Sequence, residues 1–96
     1  MSDEPDGGQR RRLIAERLRV GVLPHHRGQR TFGGRGEGAP CACCDEPIAR
    51  TDVQYEVEQR DAVGSEVHEQ VRSIPMHLHC YRLWVEESAS ARPGVP

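Results

Sequence analysis

Apolar positions along this chain fall into three patterned stretches separated by glycine- and proline-rich segments. In QRRRLIAERLRVGVL, from Gln9, Leu13, Ile14 and Leu18 share one side of a helix, with Arg10, Arg11, Arg17 and Arg19 elsewhere. Gly21 and Pro24 are stop signals, so the pattern predicts a helix over about residues 9–20. A helix that short is marginal in water and is expected to dock on something. Residues 24–40 hold five glycines and two prolines and read as a loop, with Phe32 as the pin that ties it to the folded part. In residues 52–59 (DVQYEVEQ) Val53, Tyr55 and Val57 alternate with polar residues, the mark of a half-buried strand. Asp61 to Ser65 signals a turn, and Val67, Glu69, Val71 and Ile74 give a weaker second strand that Pro75 ends. From His77 to Glu87 the run HLHCYRLWVEE reads as a helix, with Cys80, Leu83, Trp84 and Glu87 along one flank and Trp84 in the core. The fold expected is small α+β: a hairpin and a C-terminal helix, with an extra N-terminal helix. Its divisions are a disordered lead (1–8), a basic helix and Gly-rich loop (9–40), a folded module (41–87) and a disordered tail (88–96).

Composition changes this picture in one respect. The chain has 96 residues, of which 35% are apolar and 4% aromatic, and its mean hydropathy is −0.72. So short and polar a domain needs a staple beyond its own core. Four cysteines are available for one. Met1 to Arg12 is charged and has no apolar export segment, which points to the cytoplasm, where thiols stay reduced and a C-x2-C pair binds metal more often than it forms a bridge. No stretch is long enough to cross a membrane.

The candidate staple is Cys41-x2-Cys44, followed after 32 residues by His77-x2-Cys80. Two thiolates at i, i+3 grip one side of a metal ion, and an imidazole and a thiolate close the tetrahedron from the other. Four protein ligands with no open position are the chemistry of one structural Zn²⁺. Structural zinc supplies roughly 10–16 kcal/mol of apparent free energy in small finger peptides near neutral pH, enough to decide whether such a chain folds. Cys43 lacks the pair spacing and His79 adjoins Cys80, so both read as non-ligands. His25 and His26 have no cysteine nearby, and His68 reads as a solvent-facing strand residue. A redox dithiol would need a thioredoxin-like βαβ setting that this chain is too short to build. The order knuckle, hairpin, helix, with the last ligands at the helix start, is the plan of a treble clef.

On the runs CACCDEPI and MHLHCYRLW, the chain resembles C-x2-C…H-x2-C treble clefs, including the zinc finger of poly(ADP-ribose) polymerases and the first half of LIM modules. From RLIAERLRVGVLP through GGRGEGAPCACC, VQYEVE and HLHCYRLW it is similar to short uncharacterised bacterial zinc-finger-like proteins, over about residues 11–85. The resemblance implies a zinc-stabilised fold and brings no established activity. The polymerase finger reads broken DNA through basic and apolar residues, whereas the corresponding module here carries Glu56, Glu58, Glu66 and Glu69.

The net charge of −2 conceals a division along the chain. Residues 9–35 contain eight arginines and one acid, while residues 41–96 contain ten acids and five arginines. Two functions follow as expectations. The first is a non-enzymatic zinc-binding adaptor or regulatory module that contacts a protein partner through its N-terminal helix and loop. The second is nucleic-acid binding through Arg10, Arg11, Arg12, Arg17, Arg19, Arg27, Arg30 and Arg35, with affinity that falls steeply with salt. Zinc hydrolysis is disfavoured, since it needs an open coordination position and a carboxylate base and no HExxH motif is present. The same four ligands would serve a redox switch if oxidation released the metal.

Overall fold

The computed structural model describes residues 6–62 and 69–91, with side chains over 8–60 and 70–90. The elements run α1 (Asp6–Val20), β1 (Thr31–Arg35), β2 (Val53–Ala62), β3 (Glu69–His77) and α2 (Leu78–Ala91). The three strands form one antiparallel sheet in the order β1-β2-β3. Helix α2 lies between the sheet and α1: it packs on β2, β3 and α1, and α1 packs on no strand.

Helix α1 begins at Asp6, inside the segment expected to be a disordered lead; residues 1–5 lie outside the described residues. Its apolar side docks as the periodicity requires, with Ile14 and Leu18 buried and Leu13 half-buried. Gly21 ends it in the left-handed region (φ 86°) and donates its N–H to the Leu18 carbonyl, a conformation open to glycine at little cost. Leu23 then turns back into the core.

The expected hairpin is β2 and β3, paired from Gln54↔His77 to Ala62↔Glu69. Val67 and His68 lie outside the described residues. The pairs Val57↔Ile74 and Tyr55↔Met76 share the helix-facing side, where Val57, Ile74 and Met76 are buried; Val53, at the strand end, is exposed. Pro75 does not stop β3. It sits within an edge strand, where a missing N–H is tolerated, and its carbonyl accepts from the Ala42 N–H. The strand therefore continues to His77.

Three further expectations need correction. The Gly-rich segment is not all loop: β1 pairs along β2, with Gly33 opposite Tyr55. Glycine has poor strand propensity, but tertiary pairing overrides it. Phe32 is no pin, being 53% exposed on this edge strand with the Arg30 guanidinium 5.6 Å from its ring centroid. Finally, α2 runs to Ala91 where a tail was expected from residue 88, and Ser88 is buried, its hydroxyl accepting the His26 N–H at 2.9 Å. Residues 92–96 lie outside the described residues.

Candidate metal centre

The first half of the centre is built by the turn at Cys41–Asp45. The Cys41 N–H donates to the Glu46 carbonyl and the Asp45 N–H to the Cys41 carbonyl, which folds the chain back on itself. Closing that turn puts Asp45 at φ 71°, a conformation that Asp tolerates better than most residues. Arg17 of α1 braces the loop from outside, donating to the Ala42 carbonyl at 2.7 Å and to both Asp45 carboxylate oxygens at 3.2 and 2.6 Å. An antiparallel bridge between Pro40 and Pro47 closes its base.

The second half comes from the junction of β3 and α2. His77 is the last strand residue, not the first residue of a helical turn as its spacing suggested, and Cys80 lies in the first turn of α2. The strand-to-helix change directs both side chains at the knuckle. The Ala42 N–H donation to Pro75 and the His77 N–H donation to Cys41 Sγ (3.4 Å) lock the two halves together.

One donor atom from each of Cys41, Cys44, His77 and Cys80 lies within 4.8 Å of the other three. His77 Nδ1 is 3.5 Å from Cys44 Sγ and 3.8 Å from Cys80 Sγ. A tetrahedral ion with thiolates near 2.3 Å and an imidazole near 2.05 Å sets sulfur–nitrogen edges of about 3.6 Å and sulfur–sulfur edges of about 3.8 Å. The observed spacing fits that cage with small side-chain rotations. The second nitrogen agrees: His77 Nε2–H donates to the Pro47 carbonyl at 3.2 Å, which leaves the Nδ1 lone pair directed at the sulfurs. These four residues can hold a metal ion.

Electrostatics favour a cation in this cluster. The Cys41 thiol is shifted far below its ordinary value, chiefly by hydrogen bonds from the Cys43 and Cys80 thiols, and also by the N–H groups of His77 and Cys43. The contacts with Cys41 push Cys43 and Cys80 the other way, and burial raises Cys44. Several thiolates at such range repel one another, so a divalent cation is what lets three of them coexist.

Cys43 is outside the donor group but fully buried, its N–H donating to Cys41 Sγ at 3.4 Å. His79 is exposed and also outside the group. Trp84 is fully buried, and its indole N–H donates to the Pro24 carbonyl at 2.7 Å. His26, read from sequence only as a non-ligand, sets its ring edge-on to Trp84 with centroids 5.2 Å apart. No sequence spacing links those two residues, and the contact arises only when the loop crosses α2.

The eight arginines do not form one surface. Arg11 pairs with Glu86 and Glu87, Arg17 with Asp45, and Arg19 with Glu16. Arg30 covers Phe32, while Arg27 and Arg35 are exposed. Arg12 is exposed but engaged with a partner, and Arg10 lines two depressions beside the metal cluster. Sequence alone could not separate the arginine that braces the knuckle from its neighbours, because Arg17 and Asp45 meet only in the folded chain.

No family model, curated protein or solved structure matches this chain. No helix among the described residues is long and apolar enough to cross a membrane.

Proposed function

We propose that the chain is a non-enzymatic, zinc-stapled module of treble-clef plan that acts in the cytoplasm as a small adaptor or regulatory protein through contacts with a protein partner. The observation that carries this reading is the donor set itself: three sulfurs and one imidazole nitrogen within 4.8 Å, drawn from two distant parts of the chain. Its donors match one structural Zn²⁺, and a four-residue cage offers the ion no position for substrate. Binding there cross-links knuckle, sheet and helix, so that the exposed surface is rigid when it meets a partner. On that surface β1 has one edge unpaired among the described residues and bears the exposed Phe32, a feature suited to strand addition by an extended peptide. Cross-linking in cell extract followed by mass spectrometry tests the reading. One protein captured by the wild type and lost with Phe32→Glu is the expected result; turnover of a substrate with no captured protein would contradict it.

A second reading, nucleic-acid binding, is favoured by a narrower observation. Arg27, Arg30 and Arg35 flank or belong to the segment bearing exposed Phe32, a basic and aromatic combination that suits a single strand. Ion pairing within the chain draws Arg11, Arg17 and Arg19 away from such a role. If this reading holds, affinity for a single-stranded oligonucleotide falls steeply between about 50 and 200 mM salt. Affinity that is absent, or indifferent to salt, excludes it.

A further inference from the structure

The three thiolate ligands are not equally reachable. Cys41 and Cys80 are 1% and 0% exposed, and the spare thiol Cys43 is 0% exposed. Cys44 alone among the described cysteines is only half-buried, and it lines a depression of about 230 Å³ with Gln9, Arg10, Leu13 and Glu46. The sulfurs also differ in their hydrogen bonds. Cys41 Sγ accepts the N–H groups of both Cys43 and His77, whereas the backbone group that acts on the Cys44 thiol is the Glu46 N–H. Each such bond withdraws electron density from sulfur and blocks one direction of attack. Against Cys41, Cys44 therefore combines the more accessible sulfur with fewer backbone donors; Cys80 is set apart from it by complete burial.

Arg10 adds a second, independent feature. Unlike Arg11, Arg17 and Arg19, it makes no ion pair or hydrogen bond among the described residues. It lines the Cys44 depression and also a neighbouring one of about 540 Å³ that reaches His77. A guanidinium that shares a depression with a nucleophile, and has no partner among the described residues, can stabilise negative charge that develops on a leaving oxygen.

We infer that Cys44 is the reactive sulfur of the centre, the site at which hydroperoxides and small soft electrophiles attack it, with Arg10 as the positioning residue for the peroxide reaction. This inference rests on the metal-binding reading above. Cys44 Sγ attacks the outer oxygen of a hydroperoxide; a sulfur–oxygen bond forms as the oxygen–oxygen bond breaks. The leaving hydroxide or alkoxide departs beside Arg10 and takes a proton from water. A second ligand sulfur, Cys41 or Cys80, lies within 4.8 Å. It attacks the Cys44 sulfenic acid, forming a disulfide and expelling hydroxide, which is protonated in turn. Two thiolates, one hydroperoxide and two protons become one disulfide, one alcohol (or water) and one water, with two electrons passing from sulfur to peroxide. Two of the four donors are then consumed, and the metal is released.

The test begins with protein whose metal content has been measured. A chain that holds no metal overturns the metal-binding reading; the reactivity inference is judged on loaded protein. Loaded protein is treated with substoichiometric N-ethylmaleimide or hydrogen peroxide, metal release is followed with a chromogenic chelator, and the modified residues are mapped by peptide mass spectrometry. The expected result is first labelling at Cys44, release in step with it, and a peroxide-induced disulfide that contains Cys44. First labelling at Cys41, Cys43 or Cys80, or a disulfide without Cys44, would overturn the inference. Arg10→Ala leaves all four donors in place. It is expected to slow release by peroxide about tenfold and to leave the maleimide rate nearly unchanged, since addition to maleimide expels no anion. Equal slowing of both reactions, or of neither, would remove Arg10 from the proposal.

Discussion

Neighbouring cysteines in this knuckle have opposite assignments, which makes substitution unusually informative. Cys41→Ser and Cys80→Ser each remove a buried donor and are expected to abolish stoichiometric metal binding, as elemental analysis would show. Cys43→Ser should keep one metal per chain, with affinity reduced by about 10- to 100-fold, because the side chain supports its neighbours without joining the donor group. At Asp45 the predicted effect depends on pH. The Arg17 guanidinium holds its carboxyl below the ordinary value of 3.8. Because the folded-state value is depressed, the ion pair contributes fully above that ordinary value and its contribution disappears as pH falls through the lowered one. Ligand protonation releases metal in milder acid. Loss of metal on acidification should therefore precede loss of the Arg17–Asp45 pair, an order that metal release and NMR titration of the Asp45 carboxyl can establish.

At the level of elements, Gly36 is the position where the chain tolerates least. A Cβ there would lie 1.9 Å from the Ala49 carbonyl oxygen, and the obstacle is backbone. Gly36→Ala should cost about 3 kcal/mol or more in chemical denaturation, as severe steric insertions do. Trp84→Ala should cost about 3–5 kcal/mol, since the ring is fully buried and its N–H is satisfied by Pro24. Legibility in the sequence followed the strength of local pattern. Ile14 and Leu18 at i, i+4 announced α1, and the alternation through Tyr55 and Val57 announced β2. The Cys-x2-Cys and His-x2-Cys spacings named the four residues that the fold brings together. Strand β1 was hidden because glycine carries no pattern and Thr31–Arg35 pairs only through tertiary contact with β2. The last turn of α2 was hidden because serine and alanine in SASA mark no face, although Ser88 is buried against the loop at His26. Pro75 misled because its conflict with strand structure vanishes on an edge.

For the molecule as a whole, the centre sits where the knuckle, the β3–α2 junction and the α1 brace converge. Each ordered element is tied to it directly or through one neighbour: α1 through Arg17, the sheet through His77, α2 through Cys80. The Arg11–Glu86 and Arg19–Glu16 ion pairs are solvent-exposed and add little. A structural zinc site contributes roughly 10–16 kcal/mol of apparent free energy near neutral pH, against about 5–15 kcal/mol for the total stability of an ordinary domain. Metal binding and folding should therefore be one transition. The most direct measurement is elemental analysis of protein purified without a polyhistidine tag, paired with far-UV circular dichroism before and after chelation. The account predicts one zinc per chain and loss of the helical signal when the metal is removed, with recovery when zinc is restored. Protein that contains no metal and keeps its spectrum in chelator would contradict the central claim.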